Sequence, residues 1–118
     1  MTNSLQIRIE SDKDCAVMRL RGRIDIESAP HFREQLLAML RKQFPPGAIS
    51  IDLEAVFYMD TSAIATLVEG LKIARLAGIA MHLQGLQGRL LHLFQATGIG
   101  SLFDSTGSAN GPSAIRVC

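Results

Sequence analysis

Asp60-Thr61-Ser62 is the stretch of this chain whose residue types and setting carry the clearest chemical potential. It follows a β-branched run, Ala48 to Leu53, and the intervening stretch Glu54 to Met59. It precedes Ile64, Leu67, Val68, Leu71 and Ala74, whose spacings of three and four are those of an amphipathic helix. An acid and two hydroxyls thus meet where a strand hands over to a helix N-terminus, the region in which α/β folds place functional groups. A phosphoryl group on Thr61 or Ser62 would add about −1.5 to −2 charges beside Asp60, and the helix N-terminus would offer amide donors to receive it. One modification could then change what the surface binds without unfolding the domain. The plainer role of the same residues is to cap the helix.

Other combinations carry less. His31, His82 and His92 stand in unrelated places with no nucleophile elbow or triad neighbourhood. His31 reads as a polar residue in a first helical turn, and His82 and His92 as strand and helix surface positions, so an enzyme is not expected. Gly85-x-x-Gly88 lacks the third glycine and the Lys or acid of a phosphate-binding fingerprint and reads as a turn. Arg19, Arg21 and Arg23 would share one strand face and could grip phosphate, but neighbouring acids favour a solvated edge strand. The Met residues read as core filler. Cys15 and Cys118 are 103 residues apart, with no Cys-x-x-Cys and no His pair at ligand spacing, so neither a metal nor any other cofactor is expected and a reduced compartment fits.

The elements that must position Thr61 follow from periodicity. Leu5, Ile7 and Ile9 alternate with polar residues, Ser11 to Asp14 supplies a turn, and Cys15 to Arg21 alternates again before Gly22, which predicts an antiparallel hairpin. From Ser28, a candidate N-cap followed by Pro30, the residues Phe32, Leu36, Leu40 and Phe44 fall four apart and predict a helix. Pro45-Pro46-Gly47 stops it, and Ala48 to Leu53 reads as a strand. The helix after Asp60 closes at Ala77 before Gly78; Ile79 to Leu83 is a strand, and a short third helix around Leu90, Leu91, Leu93 and Phe94 closes at Thr97-Gly98. The order is β-β-α-β-α-β-α. It implies an α/β layer around a mixed, mostly parallel sheet with one antiparallel edge strand.

At 118 residues and 12.8 kDa one domain is expected, over residues 1–103, with 104–118 too poor in apolar surface to order and read as a tail. Ala114 to Cys118 could add an edge strand. Hydrophobic residues make up 47%, which excludes wholesale disorder. Twelve basic against eleven acidic residues leave a charge of +1, so no field favours nucleic acid or anionic lipid. No apolar run reaches the ~18 residues of a membrane helix, and Met1 to Arg8 lacks a signal-peptide core, so a cytoplasmic protein without membrane insertion is expected.

Taken in order, Leu20-Arg21-Gly22-Arg23-Ile24-Asp25, Ser28-Ala29-Pro30, Ile51-Asp52-Leu53 and Tyr58-Met59-Asp60-Thr61-Ser62 resemble the STAS domain family, whose bacterial single-domain members are anti-sigma factor antagonists. The resemblance covers about Leu5 to Phe103 and implies the same fold. It implies that Thr61 is a switch hydroxyl with Asp60 before it and Ser62 after it, that Asp25 matches the family's second acid, and that these residues with Ala63 flank a docking surface. The implied partner is an anti-sigma factor, usually a serine/threonine kinase, which the dephosphorylated antagonist binds and the phosphorylated form releases; a phosphatase is the further partner. Two positions depart from the pattern: Thr61 stands where Ser is familiar and Ala63 where Gly is usual, and both added carbons would narrow access to the hydroxyl. The same domain could instead be a STAS subunit docking constitutively on another machine, such as an ABC lipid-transport ATPase, and a nucleotide-responsive sensor is a third class that the missing phosphate loop argues against.

Overall fold

The computed structural model describes residues 5–12, 14–86 and 88–98. The proposed tail and the strand suggested for Ala114 to Cys118 lie outside them. The order is β1 (Leu5–Asp12), β2 (Cys15–Ile24), α1 (Ala29–Leu40), β3 (Ala48–Met59), α2 (Thr61–Ala77), β4 (Ala80–Gln84) and α3 (Gly88–Thr97). The four strands form one sheet in the order β1-β2-β3-β4. β1 runs antiparallel to β2, and the other two pairings are parallel. This is the mixed sheet with an antiparallel edge that the pattern predicts.

Two consecutive crossovers in the same direction put α1 and α2 on one face of the sheet. Met18, Leu20, Ile49, Ile51 and Met81 point into that layer from the strands, and Phe32, Leu36, Leu67 and Leu71 from the helices, all buried. Burying each such side chain contributes roughly 1.5–3 kcal/mol. The helices approach closely at Gly70, where a Cβ would lie 2.5 Å from Leu36 Cδ2.

Several sequence expectations are corrected. β3 runs on through Glu54 to Met59, because β2 also continues past Gly22 and pairs with it as far as Ile24–Met59. The register slips twice on the way, and Gly22 at φ 111° supplies backbone that other residues avoid. β2 is therefore an interior strand, and its arginines are not an edge guard. Arg19 pairs with Glu10 and Asp52, while Arg23 pairs with Asp25. α1 ends at Leu40 ahead of the Pro-Pro-Gly stop, which leaves Phe44 outside the stripe and 84% exposed. His82 is buried, not a surface residue. α2 ends as expected, with Gly78 left-handed at φ 75° and its amide donating to Ala74 and Arg75 carbonyls.

Candidate functional site

Asp60 closes β3 and caps α2. Its Oδ1 accepts from the amides of Ser62 at 2.9 Å and Ala63 at 3.3 Å, the geometry for which aspartate is favoured at an N-cap. Its Oδ2 accepts from the amide of Ile26 at 3.0 Å, in the turn between β2 and α1. The Asp60 amide in turn donates to the Ile24 carbonyl at 3.2 Å, where β2 ends. One side chain thus joins the head of α2 to the turn that launches α1.

That turn is built by Asp25. Its Oδ1 accepts from the amides of Glu27 and Ser28 at 3.0 and 3.1 Å, and its Oδ2 from Arg23 Nε at 3.1 Å. The Ser28 hydroxyl accepts from the Asp25 amide and donates to the Arg23 carbonyl, both at 3.0 Å. It makes no cap to α1, so the N-cap role expected for Ser28 is replaced by a turn-locking one. The Ser28 amide foremost, then the Glu27 amide, the Ser28 hydroxyl and the Arg23 guanidinium, hold the Asp25 carboxyl below the usual carboxylate range against partial desolvation. The Arg23 guanidinium also lies over the Tyr58 ring, 4.7 Å from its centroid, which joins the ends of β2 and β3 a second time.

On this frame Thr61 is exposed at the first position of α2, and Ser62 is half-buried behind it. Ala63 has no exposed surface. Its methyl packs into the core, so it neither faces a partner nor narrows the approach to Thr61, and the contact role expected for it is withdrawn. Of the helix-head amides expected to receive a phosphoryl group, Asp60 already holds those of Ser62 and Ala63. Thr66 hydroxyl donates to the Ser62 carbonyl at 3.0 Å and steadies the first turn.

Beside Ser62 an open groove of about 580 Å³ runs between α1 and α2, lined by Ile26, Pro30, Arg33, Leu37, Arg41 and Thr66 among others. Across its rim Arg33 makes two 2.7 Å hydrogen bonds to Glu69. This pairing raises the arginine's proton affinity and, with a smaller effect of Arg41, holds the Glu69 carboxyl below its ordinary value against desolvation. Ile26, 72% exposed at the turn apex, is a surface residue that periodicity did not single out. The signal available was an isoleucine inside a turn-forming run, Asp25 to Ser28. Among the described residues no three His, Cys, Asp or Glu side chains gather to hold a metal ion, and no helix is long and apolar enough to cross a membrane.

The chain's sequence matches the STAS domain model over residues 6–109. It is 32% identical over 117 residues to the anti-sigma-B factor antagonist of Listeria monocytogenes, covering 97% of this chain and all of that one. It is 28% identical over 109 residues to the anti-sigma-B factor antagonist of Bacillus subtilis, covering 92% and 96%. Its fold is shared by the Bacillus cell fate determinant SpoIIAA, solved in the phosphorylated form, at a TM-score of 0.67 and 18% identity over 81% of this chain and 86% of that one. With a family model spanning most of its length and relatives of this identity matched nearly end to end, the chain belongs to the STAS domain family.

Proposed function

We propose that this protein is an anti-sigma factor antagonist that docks an anti-sigma factor with serine/threonine kinase activity, and that phosphorylation of Thr61 switches the docking off. The observation that carries the reading is the exposed Thr61 hydroxyl on a helix head where Asp60 already engages the amides of Ser62 and Ala63. A phosphoryl group there finds no free amide of Ser62 or Ala63 to fold onto and projects toward the partner. A dianion in a close interface costs docking energy unless the partner supplies cations. Because Asp60 and Asp25 are spent on the local frame, the modification alters the surface and leaves the fold in place. Ser62, half-buried, is the poorer acceptor.

In this reading Asp25 and Asp60 serve docking through the turn and helix head they shape, and Ile26 and Thr61 are what a partner meets. A phosphatase resets the cycle. Affinity capture from the native cell extract with wild-type and Thr61→Glu protein, with intact-mass analysis of the endogenous protein, tests it. A kinase captured by the wild type and lost with the variant, together with one phosphate mapped to Thr61, is the expected result. Partners retained equally by both baits, with no phosphate on the endogenous chain, would overturn it.

A further inference from the structure

Phe44 and Leu76 are the most exposed large hydrophobic side chains among the described residues, at 84% and 90%. Single apolar residues on a surface need no explanation, but these two lie at one end of the helical layer. Because β2, β3 and β4 are parallel, α1 and α2 both run back toward the end of the sheet where β3 and β4 begin. Arg33 of α1 meets Glu69 of α2 at 2.7 Å, which fixes how the two helices stand side by side. Leu76 lies about two turns beyond Glu69 on the same face of α2, and Arg41 about two turns beyond Arg33 at the end of α1. Phe44 follows in the next loop, which is tied down where the Gly47 carbonyl accepts from the Ala80 amide at 3.0 Å, just past the end of α2. Pro45 and Pro46 fix the backbone beside it.

The charge at this end departs from the near-zero balance of the whole chain. Arg41 and Lys42 at the end of α1 and Lys72 and Arg75 toward the end of α2 are all exposed, and neither 35–51 nor 70–86 contains an Asp or Glu. Glu34 stands about two turns back along α1, and Glu69 is already held by Arg33. The acids that do belong to this end, Asp12 and Asp14, flank the turn between β1 and β2, where the Asp14 carbonyl accepts from the Gly47 amide at 2.6 Å on the β2 side of the loop. Four basic side chains against those two acids leave a cationic excess beside the exposed phenylalanine and leucine.

We propose that this end of the helical layer docks on an anionic lipid surface, with Phe44 and Leu76 entering the headgroup boundary and Arg41, Lys42, Lys72 and Arg75 meeting the lipid phosphates. A nucleic acid would answer the basic residues and leave both apolar side chains in water, whereas the boundary of an anionic bilayer answers both. Few residues take part, so the binding is peripheral and reversible. Thr61 lies at the opposite end of α2, a helix of 17 residues and hence about 25 Å long, so lipid and a partner at Thr61 can be engaged together.

Co-sedimentation of the full chain with vesicles tests the proposal. Vesicles of equal parts phosphatidylglycerol and phosphatidylcholine should bind the wild type about tenfold or more tighter than vesicles of phosphatidylcholine alone, and binding should weaken as salt is raised. Phe44→Ser/Leu76→Gln and Lys42→Glu/Lys72→Glu should each lose about tenfold or more while remaining folded by circular dichroism, since all four side chains are exposed. Thr61→Glu should bind as the wild type does. Absence of binding to the mixed vesicles, equal binding to both kinds of vesicle, or undiminished binding by either double variant would overturn the proposal. So would a wild-type dimer in lipid-free sedimentation velocity that Phe44→Ser/Leu76→Gln dissociates, because a second copy would then cover the surface.

Discussion

The Asp60 carboxylate accepts the Ile26 amide at 3.0 Å across 34 residues of sequence, and with its other oxygen it caps α2. The helix head that presents Thr61 and the turn that presents Ile26 are therefore one rigid unit. Removing the side chain opens both ends of that link.

Asp60→Ala should lower stability by about 2 kcal/mol, about 1 from the lost cap and a similar amount from the lost tie to Ile26. Urea unfolding checks this. A change under about 0.5 kcal/mol, the scatter of ordinary surface substitutions, would show that the link is not a structural one.

Asp25 titrates in a defined direction. Its folded carboxyl lies below the ordinary 3.8, so in the interval beneath that value the unfolded chain binds more protons and stability falls as pH falls. The contribution is fully present above the unfolded value and is lost as pH drops through the folded one. Asp25→Asn should flatten the stability profile as pH falls below 3.8, and an acid limb as steep as that of the wild type would contradict the assignment.

Gly78 and Gly85 share a left-handed backbone and differ in their surroundings. A Cβ at Gly78 meets nothing within 4 Å, whereas at Gly85 it would lie 2.6 Å from the Glu54 amide nitrogen and 2.9 Å from Asp52 Oδ1. Gly78→Ala should cost about 1–2 kcal/mol, the left-handed penalty alone. Gly85→Ala should cost clearly more, because backbone must move, and equal melting temperatures for the two variants would refute the close approach.

The legible part of the fold was the part written in periodicity. Leu5 to Ile9, Phe32 to Leu40 and Ile64 to Ala74 repeat with the period of their element, and each forms that element. Phe44 misled because it keeps the four-residue spacing although α1 has already ended at Leu40. The second half of β3 was less plain, since its pairing with β2 passes through two register slips that local alternation does not record. In the site, Thr61 and Asp60 stood out through their place before a helical pattern. The tie from Asp60 to Ile26 and the stacking of Arg23 on Tyr58 are contacts between distant segments, and no local spacing encodes them. His82 is buried although its residue type is polar, so local alternation alone did not mark it as an interior position.

The proposed switch has a stability corollary. Thr61 is exposed and its side chain caps nothing, so Thr61→Ala and Thr61→Glu should each unfold within about 0.5 kcal/mol of the wild type. A larger loss in urea unfolding would mean that the hydroxyl supports the fold, and a binding defect in either variant could then not be read as a switch.

The most direct measurement is the affinity of the captured kinase partner for the unmodified protein, for the same protein phosphorylated at Thr61, and for Thr61→Ala after exposure to kinase and ATP. The switch predicts tight binding of the unmodified chain, at least tenfold weaker binding of the phosphorylated one, and undiminished binding of Thr61→Ala, a tenfold change corresponding to about 1.4 kcal/mol. Equal affinity of all three forms would contradict it.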